Sequence, residues 1–88
     1  MSPVNLTQSA YKHGFDIEEA IYVMQHPIGR EKIRSTQRGE EWAYVGYPYE
    51  GSDRRVELLC ERVPPRTIEV FHFSDLTDLW SHLWKEGI

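Results

Sequence analysis

The sequence predicts an α+β domain with two N-terminal helices, an antiparallel sheet of three or four strands and a C-terminal helix. Apolar residues near both ends of the chain recur at the spacing of an amphipathic helix, whereas those between residues 31 and 73 follow strand patterns. Because the chain has 88 residues, we expect a single domain over residues 1–88 with a modest core.

The first predicted helix covers residues 5–13. Asn5 is a residue type that caps helices, and Gln8 stands three residues later at the capping-box position. Gly14 then supplies the left-handed backbone conformation with which helices commonly end.

The second predicted helix begins at Asp16, with Glu19 at its capping-box position. An apolar stripe of Ile17, Ala20, Ile21 and Met24 follows at helical spacing. Pro27 ends this helix by residue 26, because the residue before a proline disfavours helical geometry.

Four segments favour strands, and the breaks between them hold proline, glycine and acidic turn residues. These segments are residues 31–37, 41–47, 54–63 and 67–73. Val56, Leu58 and Cys60 should share one face of the third strand, and Ile68, Val70 and His72 one face of the fourth.

The C-terminal helix is predicted from Ser74, a capping residue, and from an apolar stripe that follows it. The stripe consists of Leu76, Leu79, Trp80 and Leu83. Trp80 lies within the stripe, so we expect it in the core. Trp84 lies at its edge, and we expect it to form a homodimer or partner surface.

Composition narrows the functional classes. Formal net charge is −4, which does not favour a nucleic-acid binder unless bases cluster locally. The single cysteine excludes an intrachain disulfide, and the histidines show no metal-ligand spacing. Without a signal-like N-terminus or a membrane-spanning apolar run, a cytoplasmic protein is the simplest interpretation.

Three short motifs carry a family resemblance. They are Lys12-His13-Gly14 at the helix–helix corner, Tyr44-Val45-Gly46 on the second strand and Val70-Phe71-His72 on the last. Their order, over roughly residues 7–73, resembles the BrnT-like group of RelE-type toxins from bacterial type II toxin–antitoxin systems.

The resemblance implies a toxin that cleaves RNA without a metal ion or other cofactor and is restrained by an antitoxin protein. Lys12, His13 and His72 would be its catalytic residues, supplying a cation and the acid–base groups that such cleavage needs. Where the family tends to place an arginine after the last strand, this chain has Phe73-Ser74-Asp75.

Each of these residues also has a structural interpretation. Lys12 and His13 can interact favourably with the C-terminal end of the first helix. His72, on an apolar strand face, fits a hydrogen-bonded core histidine, and Cys60 fits a small buried hydrophobe.

The arginines on and around the third strand have two interpretations as well. Arg54, Arg55, Arg62 and Arg66 could converge on an open sheet face and bind RNA. We favour cross-strand pairing with Glu57, Glu61 and Glu69. The alternative function is therefore an inactive protein–protein interaction module on the same fold, and a DNA-binding regulator ranks last.

Overall fold

The computed structural model describes residues 4–7, 10 and 12–85. These residues form a mixed five-stranded sheet with one α-helix and one 3-10 turn. The strands are β1 (Val4–Leu6), β2 (Gly29–Ser35), β3 (Glu40–Gly46), β4 (Val56–Val63) and β5 (Thr67–Asp75). Strands β2 to β5 form an antiparallel meander, and β1 pairs in parallel with β5, which gives the order β1-β5-β4-β3-β2.

The helix α1 spans Ile17–Gln25 and confirms the predicted capping box. Asp16 Oδ1 accepts a hydrogen bond from Glu19 N at 2.9 Å, and Asp16 N donates to Glu19 Oε1 at 3.0 Å. Ala20 and Val23 are the fully buried positions of this helix. In the described part of the chain, no helix is long and apolar enough to cross a bilayer.

The sheet has an apolar cluster on each face. On the first face, α1 packs against side chains of β3, β4 and β5: Tyr44, Val56, Leu58, Cys60, Val70 and Phe73. On the second face, the segment after β5 packs through Leu83 against Ala43 and Val45 of β3. The sheet is therefore sandwiched between α1 and an irregular C-terminal segment.

The prediction of two N-terminal helices is wrong. Residues 4–6 form β1, with Val4 opposite Ile68 and Leu6 opposite Val70. Pairing with β5 provides hydrogen-bond partners for the backbone of this segment. This pairing outweighs the tendency of Asn5 to cap a helix. Residues 8, 9 and 11 of the predicted helix lie outside the described residues. Gly14 does adopt the predicted left-handed conformation, at φ +85°.

The predicted C-terminal helix is also wrong. Ser74 and Asp75 complete β5, and the segment beyond contains only a 3-10 turn at Ser81–Leu83. Sheet pairing runs past the predicted helix start, because Ser74 and Asp75 lie opposite Glu57 and Val56 in the register and Leu76 N bonds to Arg55 O at 2.9 Å. Thr77 N then bonds to the Glu57 carboxylate at 2.7 Å. These bonds hold the chain against β4 in place of a first helical turn.

The two C-terminal tryptophans have similar environments. Trp80 and Trp84 are both partly buried against the Leu83 cluster, and the Trp84 ring meets Tyr47 edge-on with centroids 5.2 Å apart. The C-terminal helix on which the predicted dimer surface at Trp84 depended is thus absent from the described residues. Homodimer formation itself stays a prediction.

Candidate functional site: a histidine pair at the edge of the sheet

A β-bulge determines where His72 points. The register of β4 and β5 shifts between Leu59 and Cys60, so that His72 lies opposite Leu59 while Val70 lies opposite Cys60. The expectation that His72 shares a face with Ile68 and Val70 is therefore wrong. The bulge turns its imidazole to the second face, among polar groups.

On that face, His72 belongs to a network centred on the buried carboxylate of Glu57, which is 3% exposed. Glu57 Oε2 lies 2.8 Å from His72 Nε2. Glu57 Oε1 accepts hydrogen bonds from Thr77 N at 2.7 Å and from Thr77 Oγ1 at 2.6 Å. A buried carboxylate requires such partners, and these three contacts fix the imidazole between β4 and the C-terminal segment.

The network also includes a serine, but it is not a hydrolytic triad. Ser74 Oγ lies 3.1 Å from His72 Nε2, the same ring nitrogen that contacts Glu57. In a triad the nucleophile and the carboxylate bind opposite nitrogens of the histidine, so that a proton can be taken on one side. No described residue hydrogen-bonds Nδ1 of His72.

The turn before α1 brings His13 next to His72. The two ring centroids are 6.4 Å apart, with the rings inclined at 67°. His13 and the preceding Lys12 are both exposed, and the His72 side chain is 36% exposed. Two of the three predicted catalytic residues are thus neighbours in space, and Lys12 directly precedes His13 in the chain.

Asp75, where the resembled family would carry an arginine, is paired with a cation from another strand. Arg54 Nε and Nη2 donate to the two carboxylate oxygens of Asp75 at 2.6 and 3.3 Å. This hydrogen bonding lowers the pKa of Asp75, and His13 contributes to the same effect. Arg54 also lies over the Phe15 ring, with its guanidinium carbon 4.5 Å from the centroid. Sequence reasoning missed this bidentate pair, because its partners are joined only by the pairing of β4 with β5.

The four predicted RNA-binding arginines do not come together. Arg54 and Arg55 precede β4, whereas Arg62 and Arg66 lie near its other end, about 25 Å away at the usual rise per strand residue. Arg55 lies over the Trp84 ring, and Arg62 donates to Tyr44.

The alternative expectation, pairing of these arginines with three glutamates, does not describe the contacts either. Glu57 binds His72, and Arg38 binds both Glu61 and Glu69. Arg38 reaches them from the β2–β3 turn, where nothing in the sequence pattern marked it as a partner.

The described residues contain no cluster of three or more histidine, cysteine, aspartate or glutamate side chains that could hold a metal ion. Comparison with protein-family models, with curated proteins and with solved structures gives no match.

Proposed function

We propose that this chain is a toxin-like endoribonuclease that acts in the cytoplasm without a metal ion and is neutralised by an antitoxin protein. The observation that carries the proposal is the placement of His13 beside His72, with ring centroids 6.4 Å apart. Histidine is the side chain best suited to exchange protons near neutral pH, and RNA cleavage needs one group to take a proton and one to give it.

The chemistry that follows is an internal transesterification. One neutral imidazole removes the proton from a ribose 2′-hydroxyl, whose oxygen forms a bond to the adjacent phosphorus. The bond from phosphorus to the 5′-oxygen breaks, and the second histidine, as imidazolium, protonates that leaving oxygen. The products are a 2′,3′-cyclic phosphate and a 5′-hydroxyl end, with no other reactant consumed.

Lys12 and Arg54 are the cations available to the phosphate. Lys12 adjoins His13 in the chain, and the Arg54 guanidinium is held by Asp75, whose charge also acts on His13. Both Arg54 and Asp75 are at least half exposed, so a phosphate can approach the outer edge of the guanidinium. In this proposal Arg54 supplies the positive charge that the resembled family places after the last strand.

An inactive interaction module is the second candidate, and one observation favours it. Glu57 and Ser74 both contact Nε2 of His72, an arrangement that would serve equally to fasten the C-terminal segment to the sheet. In that case the histidine pair has no chemical role.

The test is an assay of purified protein on a 5′-labelled RNA in the presence of EDTA. We expect cleavage to products ending in 2′,3′-cyclic phosphate, and a loss of about 100-fold or more in His13→Gln and His72→Gln. His26→Gln is the matched control, because His26 is exposed at the end of α1 and packs on Tyr22. Melting temperatures of all three variants separate loss of chemistry from loss of folding.

Two outcomes contradict the proposal. Cleavage that persists unchanged in folded His13→Gln and His72→Gln would come from another site or a contaminant. A parent protein that leaves RNA intact, and whose induced expression leaves bacterial growth unaffected, would support the interaction module.

A further inference from the structure

A groove lies on the first face of the sheet, away from His72. It is bounded by Ile21 and Met24 of α1 and by Val4 and Ile68 of the paired strands β1 and β5, and its volume is about 540 Å³. None of these four side chains is fully buried, so their apolar surfaces face the groove. Its size lies within the usual range for small-molecule sites, about 300–1,000 Å³.

Two arginines, Arg30 and Arg62, also line this groove, and they share with Arg55 and Arg66 the lack of a carboxylate partner among the described residues. Lys32, Arg34, Arg38 and Arg54 each form an ion pair with a carboxylate. Neither Arg30 nor Arg62 forms one with any described residue. Glu40, which lies opposite Arg62 in the register, is bonded to Lys32 and Trp42 instead.

Aromatic groups hold the two guanidinium groups without neutralising them. Arg62 Nη1 donates to the Tyr44 hydroxyl at 2.9 Å, and the Arg30 guanidinium carbon lies 5.5 Å from the centroid of the Trp42 ring. Burial raises the pKa of the Tyr44 phenol, and the charges of Arg62 and Arg30 both oppose that rise. Both cations therefore act on the Tyr44 phenol, which itself lines the groove.

We propose that this groove binds a small amphipathic carboxylic acid, such as a medium-chain fatty acid. Its carboxylate accepts hydrogen bonds from Arg30 and Arg62, and its apolar body lies against Ile21, Met24, Val4 and Ile68. Two guanidinium groups held in place are suited to bind a planar carboxylate. Removal of a hydrocarbon tail from water by the apolar walls contributes favourable free energy of binding.

Other ligand classes fit these contacts less well. Inorganic phosphate would use the arginines but leave the apolar walls in contact with water. A nucleic acid would need a longer track of cations than two arginines on a chain of net charge −4. The site is independent of the proposed ribonuclease activity, because the His72 side chain points to the opposite face.

The test is calorimetric titration of the full chain with sodium octanoate. We expect saturable binding with a millimolar or tighter dissociation constant, and binding at least tenfold weaker for octanamide, acetate and inorganic phosphate. Arg30→Gln and Arg62→Gln should each weaken octanoate binding tenfold or more. Arg55→Gln, which removes an arginine beside Trp84 on the other face, should leave it unchanged.

A second measurement places the ligand even if an arginine variant fails to fold. The chain has two methionines, Met1 and Met24. With ¹³C-methyl methionine, octanoate should shift the Met24 methyl resonance. Equal binding of octanamide and octanoate, an unshifted Met24 resonance at saturation, or no saturable binding would each overturn the proposal.

Discussion

The strongest structural test of the candidate site is the substitution Glu57→Ala. Glu57 is 3% exposed and receives three hydrogen bonds, from His72 Nε2, Thr77 N and Thr77 Oγ1. A hydrogen bond to a charged acceptor contributes about 1.5–3 kcal/mol to stability. Thr77 is exposed and regains water when the carboxylate is removed, so we expect a net loss of about 3 kcal/mol from the free energy of unfolding.

Urea unfolding followed by tryptophan fluorescence measures this loss. Glu69→Ala is the control, because Glu69 lies on the same sheet face but is 39% exposed and bonded to the exposed Arg38, which limits its effect to about 1 kcal/mol. A double-mutant cycle with Thr77→Val should give a coupling energy of about 1–2 kcal/mol. A Glu57→Ala loss no larger than that of Glu69→Ala would refute the view that Glu57 fastens the C-terminal segment.

Three further predictions concern the core and the C-terminal segment. Burial raises the pKa of Cys60 from 9.0 to about 12 in the folded protein. Because the thiol of the unfolded chain ionises at a lower pH than that of the folded chain, the free energy of unfolding falls as pH rises above 9. Relative to Cys60→Val, urea unfolding should show about 1.4 kcal/mol lost between pH 8 and 10, and parallel pH curves would contradict this. Trp80→Ala and Trp84→Ala should destabilise by amounts within about 1 kcal/mol of each other, since both rings are partly buried; a selective loss of self-association in Trp84→Ala, measured by sedimentation, would favour the original dimer prediction instead. Gly29→Ala should lower the melting temperature and cost at least 2 kcal/mol or so, because its Cβ would lie 1.9 Å from Leu83 O; an unchanged melting temperature would show that the C-terminal segment shifts freely.

Local signals predicted those elements whose determinants lie within the segment itself. The capping box of Asp16 and Glu19 marked α1, and turn residues together with aromatic, β-branched and alternating apolar residues marked the four strands of the meander. Asn5 and Ser74 misled because residues that cap helices also occur in strands. The backbone partners that decided their conformation, on β5 and β4 respectively, lie far away or across a turn in the sequence.

The site was less predictable than the fold for the same reason. His13 and His72 were candidates by resemblance. The face of the sheet on which His72 lies, however, depends on a bulge opposite Leu59 and Cys60, and no glycine or other turn residue in the sequence indicates that bulge. The pair of Arg54 and Asp75 likewise depends on the register of two strands. A sequence shows which residues have suitable chemistry for a site. Which of them become neighbours across a sheet depends on the register of the paired strands, which the sequence does not show.

The parallel pairing of β1 with β5 imposes an order on the biosynthesis of this protein. Residues 4–6 leave the ribosome well before their partners, residues 68–70, because more than 60 residues separate the two strands. Such distant closures form late, because the intervening chain must be ordered before the contact compensates for its entropy. His13 therefore meets His72 only after β5 has been synthesised. A nascent chain from which β5 has not yet emerged carries Lys12 and His13 without the rest of the pair, so translation itself delays assembly of the site until β5 is available.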